Sequence, residues 1–187
     1  HRDDFAAKRH RAAGLDAVHV VADLTQLRIG HGHDVHRIQA GGTMTLGGEV
    51  VAMDRSFVAH SDGDVLYHAV VDALLGALGE GDIGRHFAND DARWKDADSL
   101  TFLRHAAELV RSRGLGVVNL DATILAEAPK LAPHVDAMAG NLVRELGGQA
   151  NVKAGTNEGT DAVGRGECII ATAVVLLAPI TPTSGRS

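Results

Sequence analysis

The chain is poor in cysteine, in long apolar runs and in positive charge, and each scarcity excludes a class of protein. Its 187 residues include one cysteine, Cys168, so no disulfide can form within the chain, and we expect a reducing, cytoplasmic environment. Because no apolar run reaches the roughly 18 residues of a membrane-spanning helix, we expect no membrane partner. The formal net charge of −6 argues against nucleic acid as a partner.

The remaining composition is that of an ordinary globular domain, with 45% hydrophobic and 22% charged residues. The length predicts one main domain. We place this domain at residues 27–180, with an N-terminal extension or fusion linker over 1–26 and a C-terminal tail over 181–187.

Hydrophobic periodicity predicts the secondary structure. Segment 43–51 is expected to be the hairpin partner of the first strand, and the β-branched last strand is expected to be buried. The predicted fold is α+β, a single mixed β-sheet with helices packed on one face. The predicted strands span 27–38, 43–51, 117–128, 150–156 and 167–178, and the predicted helices span 60–79, 96–116 and 134–148.

The segment “RIGHGHDVHRI” places three histidines and an aspartate on the first predicted strand. Residues two apart on a strand point to the same face, so Asp34 and His36 project together. His31 and His33 have the same spacing upstream. The pair is either a set of metal ligands or exposed polar decoration.

A third candidate ligand lies on the first predicted helix. Asp64, His68 and Asp72 follow one another at intervals of four residues and form a polar stripe on an otherwise apolar helix. Two imidazoles and a carboxylate are an ordinary zinc set, and Asp64 or Asp72 could orient His68. The alternative is that the histidines are partly exposed and bind nothing.

Three motifs give the chain a family resemblance from about Arg28 to Pro179. “RIGHGHDVH”, “AHSDGDVLYHAVVDALLGALGEGDIG” and “GRGE” occur in an order that resembles the 2-C-methyl-D-erythritol 2,4-cyclodiphosphate synthase family. The resemblance implies cyclisation of 4-diphosphocytidyl-2-C-methyl-D-erythritol 2-phosphate with release of CMP, in non-mevalonate isoprenoid biosynthesis. It also implies one Zn²⁺ per chain on Asp34, His36 and His68, and a second divalent ion, Mg²⁺ or Mn²⁺, on Glu158.

The same resemblance assigns roles to further residues. His60, in a loop over the substrate, and Thr156, at the position of a transition-state-stabilising threonine, are the implied catalytic residues. Taken alone, Thr156 is a strand-end residue and Glu158 a solvated loop residue. The implied substrate-binding residues are Ser61, Asp82, Ile83, Gly84, Ala126, Pro129, Lys130, Leu131, Gly155, Asn157 and Arg165.

The sequence departs from the family pattern at several positions. Gly155 replaces a hydroxyl residue, Asn89 replaces a carboxylate, and Ala162 replaces a bulky apolar residue near Arg165 and Glu167. In the family, that last region lines a cavity on a trimer axis, so the change at Ala162 puts the cavity in doubt more than the chemistry. The change at Gly155 could loosen a phosphate contact.

The resemblance further implies a homotrimer whose active sites are shared between neighbouring subunits. Such sites suit a chain with 3% aromatic residues, which has few large side chains for an internal pocket. Some family members are fused behind a cytidylyltransferase, and the extension over 1–26 could be such a linker. Two alternatives stay open: a metal- and nucleotide-binding homologue with weakened catalysis, and a generic zinc phosphohydrolase.

Overall fold

The structure is a computed structural model that describes residues 26–59, 61–88, 94 and 97–180. The predicted tail over 181–187 and all of the predicted extension except Gln26 lie outside the described residues. His60 and Asn89 lie outside them as well.

The described chain forms a sheet of long strands, a small second sheet and a set of helices. The strands are β1 (Arg28–Ala40), β2 (Met44–Leu46), β3 (Glu49–Ala52), β4 (Arg55–Phe57), β5 (Leu115–Leu125), β6 (Gln149–Gly155) and β7 (Cys168–Pro179). The helices are α1 (Val65–Leu78), α2 (Ile83–His86), α3 (Ser99–Ser112), α4 (Val135–Leu146) and α5 (Asp161–Gly164). None of the helices in the described part of the chain is long and apolar enough to cross a membrane.

The main sheet has the strand order β4-β1-β7-β5-β6. β5 and β6 run parallel, and α4 connects them, whereas the other neighbours pair antiparallel. The prediction of an α+β fold with a mixed sheet is therefore confirmed.

The predicted hairpin between the first strand and segment 43–51 is wrong. β2 and β3 pair with each other in a two-stranded sheet of their own, and β4 is the strand that pairs with β1. Gly47 and Gly48 form the turn between β2 and β3, with φ of 57° and 76°, so this stretch closes on itself instead of extending the sheet.

α1 lies directly on β1 because two glycines remove the side chains between them. A Cβ on Gly30 would stand 1.8 Å from the carbonyl oxygen of Ala73, and one on Gly32 would stand 1.8 Å from that of Ala69. The backbones of strand and helix therefore touch, and the next inward-facing positions of β1 lie beside α1.

The β-branched run of β7 suggested a strand buried on both faces, but β7 is buried on one face only. Ile169, Ala171, Ala173, Val175 and Leu177 are fully or almost fully buried under the helices. The alternating residues lie on the other, open face of the sheet and are half-buried or exposed. The helices thus pack on one face of the sheet, as predicted.

Candidate metal centre and nucleotide groove

The two faces of β1 separate its histidines into two pairs. Asp34 and His36 have the same parity as Gly30 and Gly32, so they face α1. His31 and His33 lie on the open face with exposed side chains and are not part of the metal centre. The alternation in “HGHDVH” thus assigns the glycines and the metal-centre pair to one face.

Asp34, His36 and His68 converge on one point between β1 and α1. Asp34 Oδ2 lies 2.9 Å from His36 Nδ1 and 3.1 Å from His68 Nδ1. One ligand atom from each residue lies within 4.8 Å of the other two. Zinc ligands sit about 2.0–2.2 Å from the ion, so tetrahedral ligands are about 3.3 Å apart, and this arrangement fits.

The state of His36 supports a cation at this point. Its Nδ1 is buried and has no hydrogen-bond partner of adequate geometry among the described residues, although Asp34 Oδ2 is close. A buried imidazole nitrogen without a donor or acceptor is costly, and a metal ion would satisfy it. The predicted ligand set therefore fits a metal on geometry and on chemistry.

Asp34 is a carboxylate in this site at neutral pH. Burial works against its ionisation, but the contacts with His36 and His68 outweigh burial and hold the pKa of Asp34 well below its ordinary value. A ligand oxygen that is already ionised binds a cation without first losing a proton.

A relay of hydrogen bonds holds His68 from behind. Its Nε2 lies 2.8 Å from Ser99 Oγ, which in turn donates a hydrogen bond to Asp62 Oδ1. Ser61 Oγ lies 3.3 Å from the same nitrogen. Because the Asp62 carboxylate can accept but not donate, Ser99 accepts a hydrogen bond from His68 Nε2–H. Nδ1, 3.1 Å from Asp34 Oδ2, is then the nitrogen that a metal would take.

The expectation that Asp64 or Asp72 orients His68 is wrong. Asp64 is the N-cap of α1, and its carboxylate accepts hydrogen bonds from the backbone N–H groups of Gly47, Gly48 and Tyr67. It therefore fixes the β2–β3 turn onto the helix. Asp72 accepts a hydrogen bond from the backbone N–H of Ile83 at 2.7 Å.

A cavity of about 200 Å³ opens in front of the metal centre. Ser61 and Ile83, two of the predicted substrate-binding residues, lie in its wall. Asp82 and Gly84 flank Ile83, with Asp82 as the N-cap of α2. The full lining is Asp34, His36, Ser61, His68, Ile83, Phe87, Ala88, Trp94 and Phe102.

A second cavity, of about 240 Å³, lies where β5 and β6 end, and we refer to it as the β5–β6 groove. It brings together six residues predicted to bind substrate or to act in catalysis. It shares no lining residue with the metal cavity. The groove is lined by Ala126, Glu127, Pro129, Lys130, Leu131, Ala132, Ala154, Gly155 and Thr156.

Both cavities lie toward the same end of the sheet. Asp34 pairs with Ala171 on β7, and Ala171 pairs in turn with Ile124, one residue before β5 ends. Phosphates bound beside the metal centre and a nucleoside in the β5–β6 groove would therefore extend from the same end.

The segment between β6 and β7 carries the remaining predicted residues. Glu158 is exposed at φ 51°, and its carboxylate lies 3.4 Å from Thr156 Oγ1. Arg165 lines neither cavity and forms a two-bond ion pair with Glu167. Glu127, which sequence reasoning missed, accepts hydrogen bonds from the backbone N–H of Asn157 and that of Gly159.

Comparison with known proteins gives one consistent result. Residues 27–178 match the YgbB family. A 2-C-methyl-D-erythritol 2,4-cyclodiphosphate synthase from Pelobacter propionicus is 51% identical over 154 residues, covering 81% of this chain and 98% of that protein. The bifunctional IspDF from Campylobacter jejuni matches with a TM-score of 0.79 and 36% identity, over 82% of this chain and 42% of that chain. The CDP complex of Plasmodium falciparum IspF matches with a TM-score of 0.73 and 34% identity, over 83% and 97%.

Proposed function

The chain belongs to the YgbB family, and from that membership we propose that it is a cyclodiphosphate synthase. It converts 4-diphosphocytidyl-2-C-methyl-D-erythritol 2-phosphate to 2-C-methyl-D-erythritol 2,4-cyclodiphosphate and CMP, in non-mevalonate isoprenoid biosynthesis. The observation that carries the proposal is the convergence of Asp34, His36 and His68, within 4.8 Å, beside an open cavity in a chain 51% identical to a protein of that name.

The reaction is an internal phosphoryl transfer. An oxygen of the 2-phosphate attacks the β-phosphorus of the diphosphate, the bond between that phosphorus and the bridging oxygen breaks, and CMP leaves with the bridging oxygen. The nucleophile is an anion at neutral pH, because a phosphate monoester has its second pKa near about 6. The enzyme therefore has to place two anionic groups together and offset their repulsion.

Asp34, His36 and His68 would hold a Zn²⁺ ion, and the Ser99–Asp62 relay keeps His68 in the ligating tautomer. When bound, the ion supplies a Lewis acid for a phosphate oxygen. Ser61, in the wall of the cavity, offers a hydroxyl to the substrate phosphates. His60, the residue before it in the sequence, is proposed to act in catalysis.

The β5–β6 groove is the proposed site of the cytidine. Its walls are mostly apolar, and Lys130 and Thr156 add a cation and a hydroxyl to the lining. Glu158, exposed on the neighbouring loop, would hold the second divalent ion, Mg²⁺ or Mn²⁺, against the diphosphate, since Mg²⁺ combines carboxylate and phosphate oxygens. The CDP complex of the Plasmodium falciparum relative supports a cytidine nucleotide as ligand.

We also propose that the protein is a homotrimer with shared active sites. The open face of the sheet presents Ile29, Val35 and Val174 with 73%, 50% and 44% of their surface exposed, so neighbouring subunits would bury apolar area there. The metal cavity and the β5–β6 groove share no residue, which suits a site completed between subunits.

Product analysis tests the function. The protein with Zn²⁺ and Mg²⁺ is given the diphosphocytidyl substrate, and products are separated by chromatography. Cyclic diphosphate and CMP in equal amounts are expected. Inorganic phosphate would identify a phosphohydrolase, and substrate binding without product would identify a homologue with weakened catalysis.

Two measurements test the assembly. Light scattering should give about three times the chain mass of 19.5 kDa. Mixing His68→Ala with a variant blocked in the groove, Gly155→Trp, should restore activity that neither has alone, since about a quarter of the sites in random mixed trimers draw both halves from intact surfaces. No restored activity in confirmed mixed trimers would refute the shared site.

We further propose that residues 27–180 are the catalytic domain and that 1–26 is a linker or extension. The bifunctional Campylobacter jejuni relative, of which this chain covers 42%, supports a fusion to a cytidylyltransferase.

A further inference from the structure

The loop between β6 and α5 contains a pair of side chains that the proposed function does not explain. Asn157 Nδ2 donates a 2.7 Å hydrogen bond to Asp161 Oδ2. The other carboxylate oxygen, Asp161 Oδ1, accepts from the backbone N–H of Val163 at 2.8 Å and from that of Gly164 at 3.4 Å. Asp161 thus begins the short helix α5 and holds Asn157 at the same time.

Asp161 holds this position in a costly backbone conformation. Its φ is 56°, in the left-handed region that residues other than glycine rarely adopt. Aspartate and asparagine tolerate this region better than most residues, but glycine would occupy it without strain. A carboxylate at this position therefore needs a reason beyond the turn, and the bond to Asn157 supplies one.

The backbone of Asn157 is already fixed by other bonds. Its N–H donates to Glu127 Oε1 at 3.1 Å, and its carbonyl accepts from Thr160 N and Thr160 Oγ1 at 2.9 and 2.6 Å. The freedom that remains is the orientation of the side-chain amide. Asp161 removes it, since an ionised carboxylate accepts hydrogen bonds only and so must face the amide nitrogen.

We propose that Asp161 is a positioning residue that fixes the amide of Asn157 so that its second N–H is offered to an anionic oxygen of the nucleotide substrate. This inference rests on the proposed function, because it takes Asn157 as a substrate contact. The second N–H has no protein partner among the described residues, and Asn157 lies beside Thr156, which lines the β5–β6 groove.

The direction in which anion affinity changes when the Asp161 charge is removed shows whether Asp161 positions Asn157. Asp161 carries a negative charge near the proposed phosphate site. If Asp161 had no positioning role, removing its charge should strengthen the binding of an anion. Removing a positioning carboxylate should weaken it, since the amide is then free to turn its carbonyl toward the phosphate. A hydrogen bond to a charged group that is lost in this way lowers affinity about tenfold or more.

Asp161→Asn is the discriminating variant. It keeps a side chain that tolerates positive φ and whose Oδ1 can still accept from the backbone N–H groups of Val163 and Gly164, so the fold of the loop is preserved. The NH₂ group introduced at position 161 then faces the side chain of Asn157. The Asn157 amide therefore turns over, with its carbonyl oxygen where its NH₂ group was. Asn157→Ala removes the contact itself, and Asp54→Asn is the matched control, an exposed carboxylate whose neighbour is Arg55.

The experiment measures KM and kcat for CMP release, Kd for CDP with Mg²⁺, and the melting temperature of each variant and of the double variant. Asp161→Asn should weaken CDP binding and raise KM about tenfold, at an unchanged melting temperature. The double variant with Asn157→Ala should lose no more than Asn157→Ala alone, because both changes remove one interaction.

Stronger or unchanged CDP binding by Asp161→Asn, or losses that add in the double variant, would overturn the inference while leaving the proposed function intact. Coupled losses in CDP binding in a protein that releases no CMP would support the inference and refute the cyclase activity. Absence of both CDP binding and CMP release in the unaltered protein would refute both.

Discussion

Replacing Ser99 by alanine should weaken metal binding although Ser99 cannot touch the metal. Its hydroxyl is fully buried and connects His68 Nε2, at 2.8 Å, to the carboxylate of Asp62. Without it, the proton on the His68 ring is no longer held at Nε2. The tautomer with its proton on Nδ1, which cannot ligate a metal through that atom, becomes accessible.

The loss of Zn²⁺ affinity in Ser99→Ala depends on the hydrogen-bond acceptors that His68 Nε2 retains. Ser61 Oγ, 3.3 Å from the same nitrogen, is a poorer acceptor, so His68 keeps part of its support. Loss of a group that orients a metal ligand typically costs about 10–100-fold in metal affinity. We expect Ser99→Ala to bind Zn²⁺ about tenfold more weakly, at the lower end of that range. A buried donor left without its main acceptor should also lower stability by about 1–3 kcal/mol.

The assay is competition for Zn²⁺ against a chelating dye, with melting curves of the metal-free and metal-loaded protein. Ser112→Ala is the matched control, because Ser112 ends the same helix, is exposed and bonds to the carbonyl of Leu109. Asp62→Asn should reproduce part of the loss and provides a second test if Ser99→Ala folds poorly. Zn²⁺ affinity within about twofold of the unaltered protein, in a folded Ser99→Ala, would refute the relay.

Four further outcomes are expected. His68→Ala should lose most of the zinc found by elemental analysis, and full occupancy in that variant would remove His68 from the ligand set. Glu158→Gln should slow CMP release about 100-fold with little change in melting temperature, and near-normal release at low Mg²⁺ would show that another group holds the second ion. Gly32→Ala should lower stability by about 3 kcal/mol or more, because its Cβ would meet the Ala69 carbonyl oxygen at 1.8 Å. Gly76→Ala, with its nearest neighbour at 3.8 Å, should instead raise stability by about 0.5–1 kcal/mol in thermal melts.

The pairing of two candidate metal ligands was predictable because it depends on local periodicity. The two-residue period of a strand places Asp34 and His36 on one face in any sheet. The spacing left open whether these residues and His68 bind a metal, and the family resemblance supplied the ligand set. The prediction of a mixed sheet with helices on one face rested on the same periodicities and is confirmed.

The partner of His68 was not predictable in the same way. Ser99 and Asp62 are 37 residues apart, and their contact exists only after α3 packs beside α1. Aspartate and serine are both residue types that cap helices, but the N-caps of α1 and α3 are Asp64 and Asp98. A capping motif predicts which residue begins a helix. It does not predict the tertiary contacts of the hydroxyl on the following residue, here Ser99.

The β2–β3 error has a related cause. Pairing of segment 43–51 with the first strand and pairing within the segment bury similar apolar side chains, so periodicity alone does not choose between them. Pairing within the segment is favoured by Asp64, whose carboxylate accepts hydrogen bonds of 2.9 Å from the backbone N–H groups of Gly47 and Gly48.

The division of β1 into two faces determines how the chain can change in length. Deletion of one residue between Gly32 and Asp34 would shift every later side chain to the opposite face, turning the metal ligands toward the open side of the sheet. Homologous sequences should therefore show no insertions or deletions within β1. The turn at Asp54, outside both the metal face and the glycine contacts, is where added residues can be accommodated.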